Sequence, residues 1–162
     1  MIKLVAMVLV AGSLMLGQAA LAETLVVGPS RIAQPIAGRD SIEVIVDVTL
    51  QDRSAEWADR MWGTDEGFRL TRHVGTLTIR WAKSEVFVPL SAYADLGQPE
   101  SVEFVRVGKG ASFVIRGGET STGYSAQFFV EKGILVRRRV SLGEFKDEVW
   151  EETRYSGPVR DN

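Results

Sequence analysis

The chain has 162 residues, with 19 basic and 21 acidic side chains, one histidine and no cysteine. A net charge of −2 excludes the basic surplus that nucleic acid binding requires and supplies no pull toward anionic lipid. Without thiols there is no disulfide framework, and one histidine cannot build a His-rich zinc site.

The first 22 residues have the build of a cleavable secretory signal. Lys3 forms a short positive start, Leu4 to Leu16 is nearly all apolar, and Ala20-Leu21-Ala22 offers small residues at the peptidase subsites. Cleavage is expected after Ala22. The apolar run is shorter than the roughly 20 residues that span a bilayer. No cysteine follows it for lipidation, and no twin arginine precedes it. Lys3 is the only charge removed, so the mature 140 residues carry 18 basic and 21 acidic side chains, a net of −3. The expected compartment is the periplasm, with no membrane span after cleavage.

Residues 23–40 read as a lead-in segment. Thr24 to Val27 is a short strand candidate, and Gly28-Pro29-Ser30 and Gln34-Pro35 are expected to interrupt regular structure. Ser41 to Leu50 is the clearest strand. Ile42, Val44, Val46, Val48 and Leu50 fall on one face, with Glu43, Asp47 and Thr49 on the other. Ser54 to Trp62 breaks that alternation and predicts one short helix, capped by Ser54 and ended by Gly63. Trp57 and Met61, four apart, share a face and would plug one end of the sheet.

Phe68 to Trp81 resumes a period of two, but the phase slips beside Gly75, which predicts a bulge or bend. Ala82-Lys83 is a tight connection into Glu85 to Leu90. Ser91 to Gly97 reads as a single helical turn that Pro99 prevents from continuing. Three hairpins follow. Ser101 to Val107 and Ser112 to Gly117 flank a glycine-rich turn, and Tyr124 to Glu131 and Ile134 to Leu142 flank Lys132-Gly133. The last connection, 143–146, leads into Asp147 to Tyr155. Antiparallel pairing there would set Arg137 and Arg139 against Glu148, Trp150 and Glu152, giving ion pairs and an arginine–tryptophan stack. That structural role is favoured over an anion site for the Arg137–Arg139 run. Residues 157–162 form a polar tail.

The expected fold is all-β: an antiparallel meander of seven to nine strands with one short helix, forming a small barrel or a sandwich. The tight hairpins favour the barrel. Residues 41–156 make up one β domain.

No catalytic motif stands out. His73 lies mid-strand, no Gly-x-Ser-x-Gly elbow occurs, and Gly108-Lys109-Gly110 lacks the Ser or Thr and the helix of a phosphate loop. Paired carboxylates remain for a small hydrolase, with Asp65, Glu66, Glu119, Glu148 and Glu152 as candidates. The 117–123 loop is the most polar inter-strand segment, with two successive glycines and several hydroxyls. The expected function is a non-enzymatic binding role toward an unknown protein or an envelope component, without nucleic acid, cofactor or metal. The candidate contact residues are Trp57, Trp62, Tyr93, Glu119, Thr120, Ser121, Thr122 and Tyr124. The alternatives are a carrier for a small apolar ligand inside a barrel, and a carboxylate-based hydrolase.

Overall fold

Alternating polarity produces strands along nearly the whole described chain. The computed structural model describes residues 22–36, 40–51, 60–64, 71–119, 121–143, 145 and 147–157. The leader falls outside these, Ala22 apart, as does most of the expected 54–62 helix.

Ten strands are described: β1 (Glu23–Thr24), β2 (Gly28–Pro35), β3 (Ser41–Leu50), β4 (Arg72–Trp81), β5 (Ser84–Val86), β6 (Pro99–Val107), β7 (Gly110–Gly117), β8 (Tyr124–Glu131), β9 (Ile134–Leu142) and β10 (Val149–Arg154). They form two antiparallel sheets, ordered β1-β6-β7-β8-β9-β10 and β2-β3-β4-β5. The favoured single barrel thus gives way to two layers. The sheets meet at one corner, where the chain before β6 bonds to the start of β4 through Val74 N–Leu96 O (3.0 Å) and Gln98 N–Arg72 O (2.9 Å).

Gly28 to Pro35, expected to interrupt regular structure, instead forms an eight-residue edge strand along β3. Pro29 and Pro35 lie six residues apart. They therefore share one side of the strand and can both face the unpaired edge, where no amide is needed. The slip beside Gly75 is a true bulge: Asp47 pairs with Thr76 and Val48 with Val74, which leaves Gly75 unmatched. A Cβ at that point would collide with Thr49 Oγ1. The turn expected at 91–97 is a 3-10 turn over Leu90–Ala92, preceded by Pro89 with no side-chain cap.

The core lies between the layers. Ile42, Val44, Val46 and Val48 of β3 meet Val102, Phe113, Ile115, Ala126, Phe128 and Val140 of the larger sheet. Phe113 and Phe128 stack with centroids 4.9 Å apart and planes 8° off parallel, and Phe104 packs edge-on to Phe113 at 6.4 Å. Full burial of such a ring contributes about 1.5–3 kcal/mol. These side chains form one buried cluster between the two sheets.

Because β6 to β9 are joined by successive hairpins, the larger sheet has two unlike ends. The β7–β8 loop and the β9–β10 connection share one end. The β6–β7 and β8–β9 turns share the other.

Candidate functional site

At the β7–β8 end, glycines let three stretches of backbone approach closely. Gly118 N donates to Gln98 O (3.0 Å), and Gly143 N donates to Gly123 O (2.6 Å). The loop closes on itself: Thr122 N donates to Glu119 O (3.0 Å) and Glu119 N to Thr122 Oγ1 (3.2 Å). A side chain at Gly118 (φ +83°) would come within 2.5 Å of Thr122 O and 2.9 Å of Gly63 Cα. One at Gly117 would collide with Gln98 O and reach within 2.8 Å of Tyr124 Oη. These residues line an open cleft of about 520 Å³, with Glu100, Arg116 and Glu119 around it and Tyr124 below.

Tyr124 is fully buried, and its hydroxyl has no partner among the described residues. Burial pushes the phenol far above its ordinary value; Asp95 adds to the shift and Arg138 opposes it. It stays a neutral donor at any physiological pH. The backbone amides and carbonyls of the cleft suit recognition by hydrogen bonding, while the buried Tyr124 phenol lies beneath them.

The sequence-derived contact residues divide between settings. Glu119, Ser121, Thr122 and Tyr124 belong to this end of the sheet. Trp62 and Tyr93 are half-buried against the core. Trp62 bridges Leu96 through its backbone, with Trp62 N donating to Asp95 O at 2.8 Å. Trp57 and Thr120 lie outside the described residues. The aromatics that do project here are Phe145 (56% exposed) and Trp150 (61%), with Val149 (45%) between them in sequence.

The arginine run resolves into three different roles. Arg139 pairs with Glu152 across the β9–β10 ladder at 2.5 Å, as the sequence suggests. Its neighbour Arg137 does not stack on Trp150. It lies over Phe129 instead, 4.0 Å from the ring centroid, because the register sets Arg137 beside Phe129 on the adjacent strand. Arg138 points inward and is only 1% exposed. It donates two bonds to Asp95 (2.8 and 2.7 Å) and one to Ser91 O (3.1 Å), tying the 90–95 segment to β9. Sequence reasoning missed this residue. Its signal was phase: Arg138 alternates with Val140 and Leu142, so it shares their side of the strand.

Among the carboxylate candidates, Glu152 is held below the ordinary range by hydrogen bonds from Arg139 and Arg154. That is the opposite of what a general acid needs. Asp65 and Glu66 lie outside the described residues, and among those described no group of three or more His, Asp or Glu side chains could hold a metal ion. A second cleft, about 740 Å³, opens where Phe87, Ile134 and Tyr155 face Lys132 and Arg154. No helix among the described residues is long and apolar enough to cross a membrane. Compared with family models, curated proteins and solved structures, the chain finds no match.

Proposed function

We propose that this chain is an exported, non-enzymatic binding domain that engages a protein partner of the cell envelope through the β7–β8 end of its larger sheet. One observation carries the reading: Phe145, Val149 and Trp150 stand exposed at the same sheet end as the glycine-lined cleft. Large apolar groups kept in water on a connection and an edge strand mark a contact surface, and tryptophan is among the residues that dominate such contacts. The neighbouring cleft adds polar backbone for orientation. The apolar side chains buried against one another between the sheets speak against a carrier of apolar ligands. The raised pKa of the Tyr124 phenol and the lowered one of the Glu152 carboxyl speak against these two groups as general acid or base.

The test uses the mature chain as bait in envelope extract, beside Phe145→Ser and Trp150→Ser variants. The expected result is a partner retained by the native chain and lost by both variants while their thermal transitions stay unchanged. Identical retention profiles would overturn the assignment. Protein recovered from the expressing host should begin at Glu23, and recovery of an intact leader would overturn export.

A further inference from the structure

We infer that the opposite end of the larger sheet holds a second, separate site, for a compact ligand bearing two phosphate-type oxyanions. A groove of about 420 Å³ lies there, within the range of small-ligand sites. Arg106 and Lys109 enter it from the β6–β7 hairpin, and Lys132 and Arg137 from the β8–β9 hairpin. Against these four cations the lining offers the carboxylate of Glu131 alone, a formal +3 in a chain whose net charge is −2.

Outside the groove, six of the eight described arginines pair with a carboxylate, Arg60 and Arg72 being the exceptions. Arg31 and Arg80 share Glu43, Arg116 takes Glu103, Arg138 takes Asp95, and Arg139 and Arg154 share Glu152. Among the described residues, Arg106, Lys109, Lys132 and Arg137 have no carboxylate within ion-pair reach. The contrast is sharpest over one ring. Arg137 and Arg139 lie 4.0 and 5.9 Å from the Phe129 centroid, yet only Arg139 is neutralised. The cation–π contact with Phe129 holds the Arg137 guanidinium at the groove, where its N–H groups, unpaired with any described carboxylate, can donate to an anion. Concentrating unpaired cations costs folding free energy through their mutual repulsion, and a bound anion offsets that cost.

The cations come as one pair per hairpin, which matches two anionic groups on one small scaffold. Such a ligand is either a free bisphosphate or the phosphorylated headgroup of an envelope lipid. Both present the same oxygens, so the measurement must separate them.

The experiment titrates the mature protein with fructose 1,6-bisphosphate and with inorganic phosphate by calorimetry. In parallel it measures co-sedimentation with phosphatidylcholine vesicles that contain or lack cardiolipin, whose headgroup carries two phosphates on one glycerol. Saturable binding of the bisphosphate, tighter than that of phosphate and weakened by added salt, supports a free ligand. Retention on the cardiolipin vesicles alone supports the headgroup source. Arg137→Gln should weaken whichever binding is found about tenfold, as expected for losing a charge-assisted hydrogen bond. Lys132→Gly should weaken it a few-fold without disturbing the turn, because Lys132 already sits at φ +51°, which glycine adopts freely. Trp150→Ser should leave it unchanged. Absence of binding in both arms overturns the site, as does binding that survives the combined Lys109→Gln, Lys132→Gly, Arg137→Gln change in a protein that melts like the native chain.

Discussion

The two ends of the six-stranded sheet solve opposite problems. At the β7–β8 end, backbone packs on backbone: Gly63, Gly117 and Gly118 have neighbours so close that none has room for a Cβ. At the β6–β7 end, Gly108 has nothing within 4 Å of where a Cβ would sit, and the crowding is electrical instead. One end is stabilised by steric closeness and presents apolar side chains. The other tolerates repelling cations and presents charge. Their difference shows why net charge was a poor guide to partners: an overall −2 conceals a +3 groove, because ion pairing neutralises most other arginines in place.

The sharpest break in that contrast comes from the buried pair behind the glycine-lined end. Asp95→Ala leaves Arg138 in the core with the Ser91 carbonyl at 3.1 Å and, among the described carboxylates, Glu151 at 3.9 Å. Asp95 is 35% exposed, so the loss should fall short of the roughly 3–5 kcal/mol of a fully buried pair, at about 2–3 kcal/mol, which urea denaturation will read directly. Gly118→Ala should come next, at about 1–3 kcal/mol, from a positive φ combined with the clash at Thr122 O. Equal tolerance of alanine at Gly118 and Gly108 would erase the steric distinction between the ends, since Gly108→Ala is expected to stay within about 0.5 kcal/mol of the native chain.

Charge removal should run the other way. Lys109→Gln and Arg137→Gln relieve repulsion, so a small rise in melting temperature at low salt is expected, shrinking as salt is added. A clear loss of stability would mean that these cations are structurally paired after all.

The smallest effect concerns pH and belongs to the glycine-lined end, where His73 bridges Gly97 through the backbone. Burial lowers the His73 pKa, so the folded state prefers neutral imidazole. Its stabilising contribution is intact above the ordinary value of 6.5 and is lost as the pH falls through the lowered one. Glu152 acts in the same direction at lower pH, because its ion pairs are lost on protonation. His73→Asn should flatten the stability profile between pH 7 and 5, measured by denaturant midpoints.

Much of this architecture was legible in side-chain order. Tyr124 to Glu131 and Ile134 to Leu142 begin and end as read, because alternation and a glycine turn act over a few residues. Gly28 to Pro35 was misread, since proline is a breaker by local rules and harmless once the strand is known to be an edge. Sandwich against barrel was not legible either, because hairpins describe neighbours in sequence and not which strands close a layer. The binding ends were half-legible. The 117–123 loop announced itself by composition, whereas Arg138 and the four-cation groove did not.

By itself, then, side-chain order determined most of the strands, most turns, the Gly75 bulge and the absence of thiol chemistry, since each follows from one residue or a short period. Only tertiary structure decided which arginines are neutralised, which tryptophan is exposed and where the glycines meet. Those outcomes depend on register between strands far apart in the chain, where a shift of one residue would reverse every side chain's face.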